Sequence, residues 1–244
     1  MIKTAKTITV TILTLFGGFA EGFPQMPADS DRLDKKQKSL VAVAALTATG
    51  NQSLLAKEMA NGLAAGLTIN EAKEVLIQLA AYAGLPRSLN AINTLKKITE
   101  DRKTRGITDI AGTEPLPLDT SVSRYELGKK NLEKLSGMPE VGKAGYALYV
   151  PVIEVFLKEH LFADIFSRGV LTYQDRELVT VSALTALGQV ENQLEAHLNL
   201  SLYNGLKAQQ LQEVLSIVGI LIGSDEAKAG EAVLKKVIAA RENK

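Results

Sequence analysis

The chain contains the same stretch of sequence twice, and no other feature constrains its fold as strongly. Residues 33–50 read LDKKQKSLVAVAALTATG, and residues 171–188 read LTYQDRELVTVSALTALG. One inserted residue follows in the second copy, after which the match continues to a shared LKK at residues 95–97 and 234–236. An internal repeat indicates one structural unit used twice. We expect residues that both copies share to build the scaffold, and residues that differ in chemistry to be candidates for a functional site.

The composition favours a helical protein with a substantial core. Of the 244 residues 46% are hydrophobic, which is enough to bury a sizeable core, while aromatic residues make up only 5% and Trp is absent. Ala, Leu and charged residues dominate, and these favour helix over strand. The net charge is +1, and no basic stripe is interleaved with aromatic residues. We therefore expect an all-α fold and no nucleic-acid partner.

The absence of cysteine excludes several chemistries. The sequence has no Cys, so this chain forms no disulfides and offers no thiolate nucleophile or thiolate metal ligand. Only two histidines, His160 and His197, are present, so a zinc site built from several histidines is not expected. We expect neither a metal nor another cofactor.

The N-terminal residues have the layout of a secretory signal peptide. Two lysines precede an apolar run at residues 8–16 (ITVTILTLF), and the small residues Gly17, Gly18 and Ala20 follow. We interpret residues 1–20 as a signal peptide and residues 21–32 as a flexible start of the mature chain, which would then be periplasmic or secreted. The run is short for a membrane span, so none is expected in the mature chain. The alternative is an N-terminal segment that is disordered or packs on the core.

Apolar spacing and helix-capping residues divide the chain into three parts. These are repeat one at residues 33–105, a linker with connecting helices at 106–167, and repeat two at 168–244. The linker is expected to contain a helix at about 122–135 and an amphipathic helix at 151–167. Each repeat is predicted to contain four helices. They are expected at residues 34–49, 53–65, 69–83 and 88–103, and at residues 173–187, 192–203, 208–222 and 225–241.

The two repeats differ in chemistry on their first two helices. His197 of repeat two matches Glu58 of repeat one, and Glu177 matches Ser39. A Glu that faces a His across a helical hairpin can orient the imidazole and raise its basicity, which makes an acid–base pair. Alternatively, Glu177 faces solvent in the first turn of its helix and His197 is a hydrogen-bonded interior residue. Spacing alone favours this second interpretation.

Other residues are weaker candidates for binding a substrate. His160, on the predicted helix before repeat two, either points towards the Glu–His pair or caps and packs. Arg87 and Asn90 follow a proline and are candidates to bind a substrate carboxylate at a helix N-terminus. The alternative for Asn90 is that it stabilises the turn. Tyr82 and Tyr203 lie at helix ends, where we expect them to pack.

A set of short motifs runs through the two repeats: Arg176-Glu177-Leu178, Gly188, His197, Asn204-Gly205-Leu206, Glu213-Val214-Leu215 and the segment AGLPRSLNA at residues 83–91. Together these motifs resemble the carboxymuconolactone decarboxylase family, which includes the alkylhydroperoxidase D branch. The similarity covers roughly residues 33–97 and 171–236, and it implies an all-α fold of two tandem family repeats. Tandem members with an apparent export signal form a recognisable subgroup.

The resemblance implies two chemistries, and the sequence disfavours one of them. The hydroperoxidase branch uses a C-x-x-C-x-x-x-H motif with an upstream Glu. The two cysteine positions of that motif hold other residues in both repeats, so thiol peroxidase activity is disfavoured. These positions are Val190 and Gln193 in repeat two, and Asn51 and Leu54 in repeat one.

The decarboxylase branch needs no cysteine. Its reaction removes a carboxyl group from a lactone acid and protonates the resulting carbon. The resemblance thus implies a cofactor-independent lyase or isomerase that acts on a small carboxylated molecule through His197 and Glu177. The sequence departs from the family at Gln193, where a carboxylate often stands, and in the extra residue of the turn, so the specific lactone is not implied.

Two further implications concern catalysis and assembly. A non-catalytic binding or structural member of the family is the alternative to an enzyme, because repeat one has already lost the Glu–His pair. The family builds rings of six repeats, so two repeats per chain imply a homotrimer.

The lack of cysteine leads to a direct prediction. The purified protein, supplied with an organic hydroperoxide and a dithiol donor, should consume the peroxide no faster than the buffer blank, because no residue can form a sulfenic acid. Peroxide loss should be followed at several protein concentrations. Turnover that rises with protein concentration would contradict the prediction.

Overall fold

A computed structural model describes residues 31–139 and 145–242. The predicted signal peptide, and all of residues 21–32 except the last two, lie outside these ranges. The described residues form helices and no strand, which confirms the all-α prediction. Among them, no helix combines the length and the apolar character that crossing a membrane requires.

Repeat one forms four helices close to the predicted bounds. They are α1 (Lys35–Thr49), α2 (Gln52–Ala64), α3 (Ile69–Ala83) and α4 (Leu85–Thr104). The predicted capping box is confirmed, since Thr68 accepts from the backbone N–H of Glu71, whose side chain accepts in return from the backbone N–H of Thr68. Helix α4 begins earlier than predicted because Pro86, in its first turn, needs no hydrogen-bond partner.

The connecting segment differs most from expectation. It forms α5 (Arg124–Ser136), α6 (Gly145–Tyr149) and α7 (Pro151–Phe156), and α7 continues as a π-helix (Leu157–Ile165) and a short 3-10 turn (Phe166–Arg168). One amphipathic helix was predicted over residues 151–167. The π-helix packs closely on α5, where a Cβ atom at Gly128 would overlap the carbonyl oxygen of Lys158. This tertiary packing is not visible in a helical sequence pattern.

Repeat two again forms four helices, and the two repeats share one core. The helices are α8 (Tyr173–Leu187), α9 (Glu191–Tyr203), α10 (Ala208–Leu221) and α11 (Ser224–Glu242). Helices α1 and α8 pack along each other, α3 packs against α8, and α10 packs against α1. Each repeat thus places its third helix on the first helix of the other. Buried apolar side chains from both repeats form a single cluster.

Equivalent ion pairs join the repeats at these two contacts. Arg176 Nη2 on α8 lies 3.1 Å from Glu74 Oε2 on α3, and both side chains are buried. At the equivalent positions, Lys38 Nζ on α1 lies 2.8 Å from Glu213 Oε1 on α10, and the Lys38 side chain is 43% exposed. The same contact is therefore buried in one half of the molecule and exposed to water in the other.

This difference in burial predicts unequal contributions to stability. Arg176→Ala should lower the free energy of unfolding by about 3–5 kcal/mol, because it removes a partner from a buried carboxylate. The matched change Lys38→Ala should cost less than about 1 kcal/mol, since the pair is solvent-screened. Urea denaturation of both variants measures the difference, and equal losses would contradict it.

Candidate functional site

The Glu–His pair forms in the structure. Glu177 Oε2 on α8 lies 2.8 Å from His197 Nδ1 on α9. The Glu177 side chain is fully buried and the His197 side chain is 13% exposed, so Glu177 does not face solvent. An ionised carboxylate only accepts hydrogen bonds, so the Nδ1–H of His197 donates to it. The contact therefore fixes both the orientation and the tautomer of the imidazole.

A third residue reaches the pair from the other repeat. The hydroxyl of Tyr82, near the end of α3, lies 3.4 Å from His197 Nε2. The two rings meet edge to face, with their centroids 5.7 Å apart. Tyr82 also packs against apolar clusters from both repeats and from the connecting segment, as a packing residue would. Its hydroxyl gives it a polar role that the sequence analysis missed.

The surroundings of Tyr82 keep its hydroxyl protonated. Burial raises the pKa of Tyr82, and the negative charge of Glu177 raises it further. The neutral hydroxyl is then a hydrogen-bond donor at ordinary pH, and Nε2 of a neutral His197 is the matching acceptor. The result is a chain of hydrogen bonds from Tyr82 through His197 to Glu177.

A buried polar network holds α3 against α8 beside this chain. The amide nitrogen of Gln78 donates to the carbonyl of Arg176 and to the hydroxyl of Thr180, each at 2.9 Å. Arg176 Nη1 donates back to the Gln78 side chain at 3.0 Å. Arg176 and Arg168 both bind Glu74. Because Gln78 and Tyr82 are one turn apart, this network also sets where Tyr82 meets His197.

The equivalent place in repeat one lacks all three groups. Ser39 stands for Glu177, Glu58 for His197, and Leu221 of α10 for Tyr82. The Ser39 hydroxyl donates to the carbonyl of Lys35 in its own helix, at 2.9 Å. Glu58 accepts a 3.4 Å hydrogen bond from the side chain of Asn61. Within the described residues, this Glu–His–Tyr arrangement therefore occurs once.

The other three predicted site residues have their contacts elsewhere. His160 lies on the π-helix with a 61% exposed side chain, and its Nδ1 is 3.5 Å from Asp164. The Arg87 guanidinium donates to the carbonyl of Ala48 near the end of α1, and Asn90 is exposed on α4. Within the described ranges, none of the three forms a hydrogen bond or ion pair with Glu177 or His197. Their role in substrate binding stays a prediction.

Two surface clefts are lined by residues outside the pair. One, of about 220 Å³, is lined by Leu116, Leu118, Asp164, Ser167 and Arg168. The other, of about 360 Å³, is lined by Lys130, Glu133, Lys134, Gly137, Met138, Pro139 and Tyr203. Because Glu177 is buried, a small molecule would approach the pair from the side of His197 and Tyr82.

In the described part of the chain, no cluster of three or more His, Asp or Glu side chains is arranged to hold a metal ion.

Fold and site together define a class of protein: a tandem all-α repeat in which a buried Glu–His pair of one repeat meets a tyrosine of the other. The family model for the carboxymuconolactone decarboxylase family matches residues 20–97 and 154–236, which include Tyr82, Glu177 and His197. The chain belongs to this family, as the sequence motifs predicted. A search of curated proteins finds no match.

The raised pKa of Tyr82 predicts how the protein responds to alkaline pH. The folded state holds the Tyr82 proton after the unfolded state has released it, so stability falls as the pH rises above 10.0, the ordinary tyrosine value. Tyr82→Phe should make this fall shallower, by up to about 1.4 kcal/mol per pH unit. Urea denaturation of both proteins at a series of alkaline pH values measures the slopes, and a steeper slope in the variant would refute the assignment.

Proposed function

We propose that this chain is a cofactor-independent lyase or isomerase that moves a proton on a small carboxylated molecule. The observation that carries the proposal is the 2.8 Å hydrogen bond between the buried Glu177 carboxylate and His197 Nδ1. The carboxylate holds one tautomer and stabilises the imidazolium, so Nε2 is the nitrogen that exchanges protons. Family membership supports the reaction class.

The pair suits both reactions of that class. In a decarboxylation the substrate loses CO₂ and keeps the electron pair on carbon, and a proton from the His197 imidazolium completes the product. In an isomerisation His197 takes a proton from one carbon and returns it to another, so its own proton count is unchanged. Neither reaction needs a thiol, in keeping with a chain that has no Cys.

A second candidate is a non-catalytic binding or structural protein. The two clefts are lined by residues other than Glu177 and His197, which favours this candidate. Repeat one also retains the scaffold with Ser39 and Glu58 in place of the pair. A binder would keep ligand affinity without turnover, and that difference separates the two candidates.

We further propose that the mature chain is periplasmic or secreted and assembles as a homotrimer. Two groups among the exposed large apolar side chains suit such contacts, and their burial between copies would stabilise a closed ring. They are Tyr146, Leu148, Tyr149, Val150, Val152, Ile153 and Phe156 around α6 and α7, and Leu85, Leu89 and Ile92 on α4.

The function is tested in two stages with a matched pair of variants. A thermal-shift screen of small carboxylic acids and lactone acids first identifies ligands, and each ligand is then assayed for CO₂ release and for isomerisation. His197→Ala should lower kcat by about 10²–10⁴-fold, as loss of a positioned acid–base group typically does. Glu58→Ala, at the equivalent position of repeat one, should leave kcat unchanged.

The outcomes separate the candidates. Equal losses in His197→Ala and Glu58→Ala, with unchanged melting temperatures, would contradict a single site at the pair. A ligand that stabilises the wild type without being turned over would support the binding protein instead.

A further inference from the structure

Both ring nitrogens of His197 are already occupied. Glu177 accepts from Nδ1, and the Tyr82 hydroxyl lies against Nε2. The second carboxylate oxygen, Glu177 Oε1, is fully buried and has no hydrogen-bond partner among the described residues. A substrate that exchanges a proton with Nε2 must therefore either displace the Tyr82 hydroxyl or exchange the proton through it.

We propose that Tyr82 is a catalytic residue that passes the proton between His197 and the substrate, so that the site is built from both repeats. This inference rests on the proposed function, because it assigns the path by which the Glu177–His197 pair exchanges a proton.

The relay balances in both directions. When the substrate is an acid, its C–H proton moves to the Tyr82 oxygen while the Tyr82 proton moves to His197 Nε2, which leaves a carbanion and an imidazolium beside Glu177. When a carbanion must be protonated, Nε2–H gives its proton to the Tyr82 oxygen and the Tyr82 hydroxyl gives its own to carbon. Tyr82 ends each step with one proton.

The surroundings of Tyr82 suit a relay. Burial and the charge of Glu177 raise the pKa of Tyr82 and so keep its hydroxyl protonated. A hydrogen bond with the Thr180 side chain and the charge of Arg176 lower this pKa by a smaller amount. The 3.4 Å distance between the Tyr82 hydroxyl and His197 Nε2 is longer than an ordinary hydrogen bond, as is common for acid–base contacts before a substrate binds. The buried network of Gln78 and Arg176 holds the backbone next to Tyr82.

The comparison of the repeats supports a functional unit of three residues. All three positions differ in the other half of the molecule, where Ser39, Glu58 and Leu221 stand. Leu221 packs against the shared core just as Tyr82 does, so an apolar residue is sufficient for packing at this position.

One arm of the test needs no substrate. The chain has two histidines, so His160→Gln leaves His197 as the single imidazole in a ¹⁵N spectrum. In that background, Tyr82→Phe should shift the Nε2 resonance and leave Nδ1 nearly unchanged. Tyr173→Phe is the control, because Tyr173 is also a part-buried tyrosine of the same core and lies outside the site. An Nε2 resonance that does not move in Tyr82→Phe would overturn the contact and the relay with it.

The second arm uses a substrate from the carboxylic acid screen. Tyr82→Phe should lower kcat by about 10²-fold with a smaller effect on KM, and Tyr173→Phe should change neither. A relay moves two protons together, so the dependence of kcat on the fraction of D₂O should be curved in the wild type and linear in Tyr82→Phe.

The outcomes distinguish the relay from the proposed function. Full turnover in His197→Ala would refute the proposed function. Loss of turnover in His197→Ala with full turnover in Tyr82→Phe would refute the relay alone. A lower kcat in Tyr82→Phe with an unchanged D₂O dependence would show that the hydroxyl only positions His197, which also overturns the relay.

Discussion

The buried contact of Arg176 with Glu74 and Gln78 determines how the two repeats meet. Glu74, Gln78 and Tyr82 are spaced four residues apart, so they lie along one face of α3, and that face is turned towards α8. Glu177 directly follows Arg176 on α8. An arginine that is fully buried must keep its partners, because an unpaired buried charge is costly. The register of α3 on α8 is therefore fixed, and with it the distance from Tyr82 to His197.

The repeated architecture explains how the two halves can carry different residues at equivalent positions. Each site position combines the first and second helices of one repeat with the third helix of the other. At the equivalent contact in the other half, Lys38 and Arg32 both pair with Glu213, and water screens these pairs because the Lys38 and Arg32 side chains are exposed. The apolar core that the two repeats share includes neither Lys38 nor Glu213. The same fold therefore accommodates Ser39 and Glu58 in one half and Glu177 and His197 in the other.

Features that depend on local interactions could be predicted from the sequence, whereas features that depend on packing between distant residues could not. Helix bounds followed from apolar spacing and from the Thr68 capping box. The Glu177–His197 pair became a candidate because the two repeats differ there, whereas spacing alone favoured a solvent-facing Glu177. The Tyr82 contact joins residues far apart in the sequence. The sequence does carry a signal for this contact, since Tyr82 on the third helix of repeat one aligns with the apolar Leu221 of repeat two. The π-helix depends on packing against α5, and it changes the face on which His160 lies.

The burial of Glu177 helps to distinguish a chemical role for the Glu177–His197 pair from a structural one. A carboxylate that is fully buried with one oxygen unpartnered costs about 1–3 kcal/mol relative to a satisfied group. Ser39, at the equivalent position, satisfies its hydroxyl within its own helix and carries no such cost. Repeat one therefore shows that the scaffold folds with a residue at this position that carries a smaller free-energy cost. Because proteins tolerate such local costs chiefly at functional sites, the retained carboxylate favours a chemical role for the pair over a structural one.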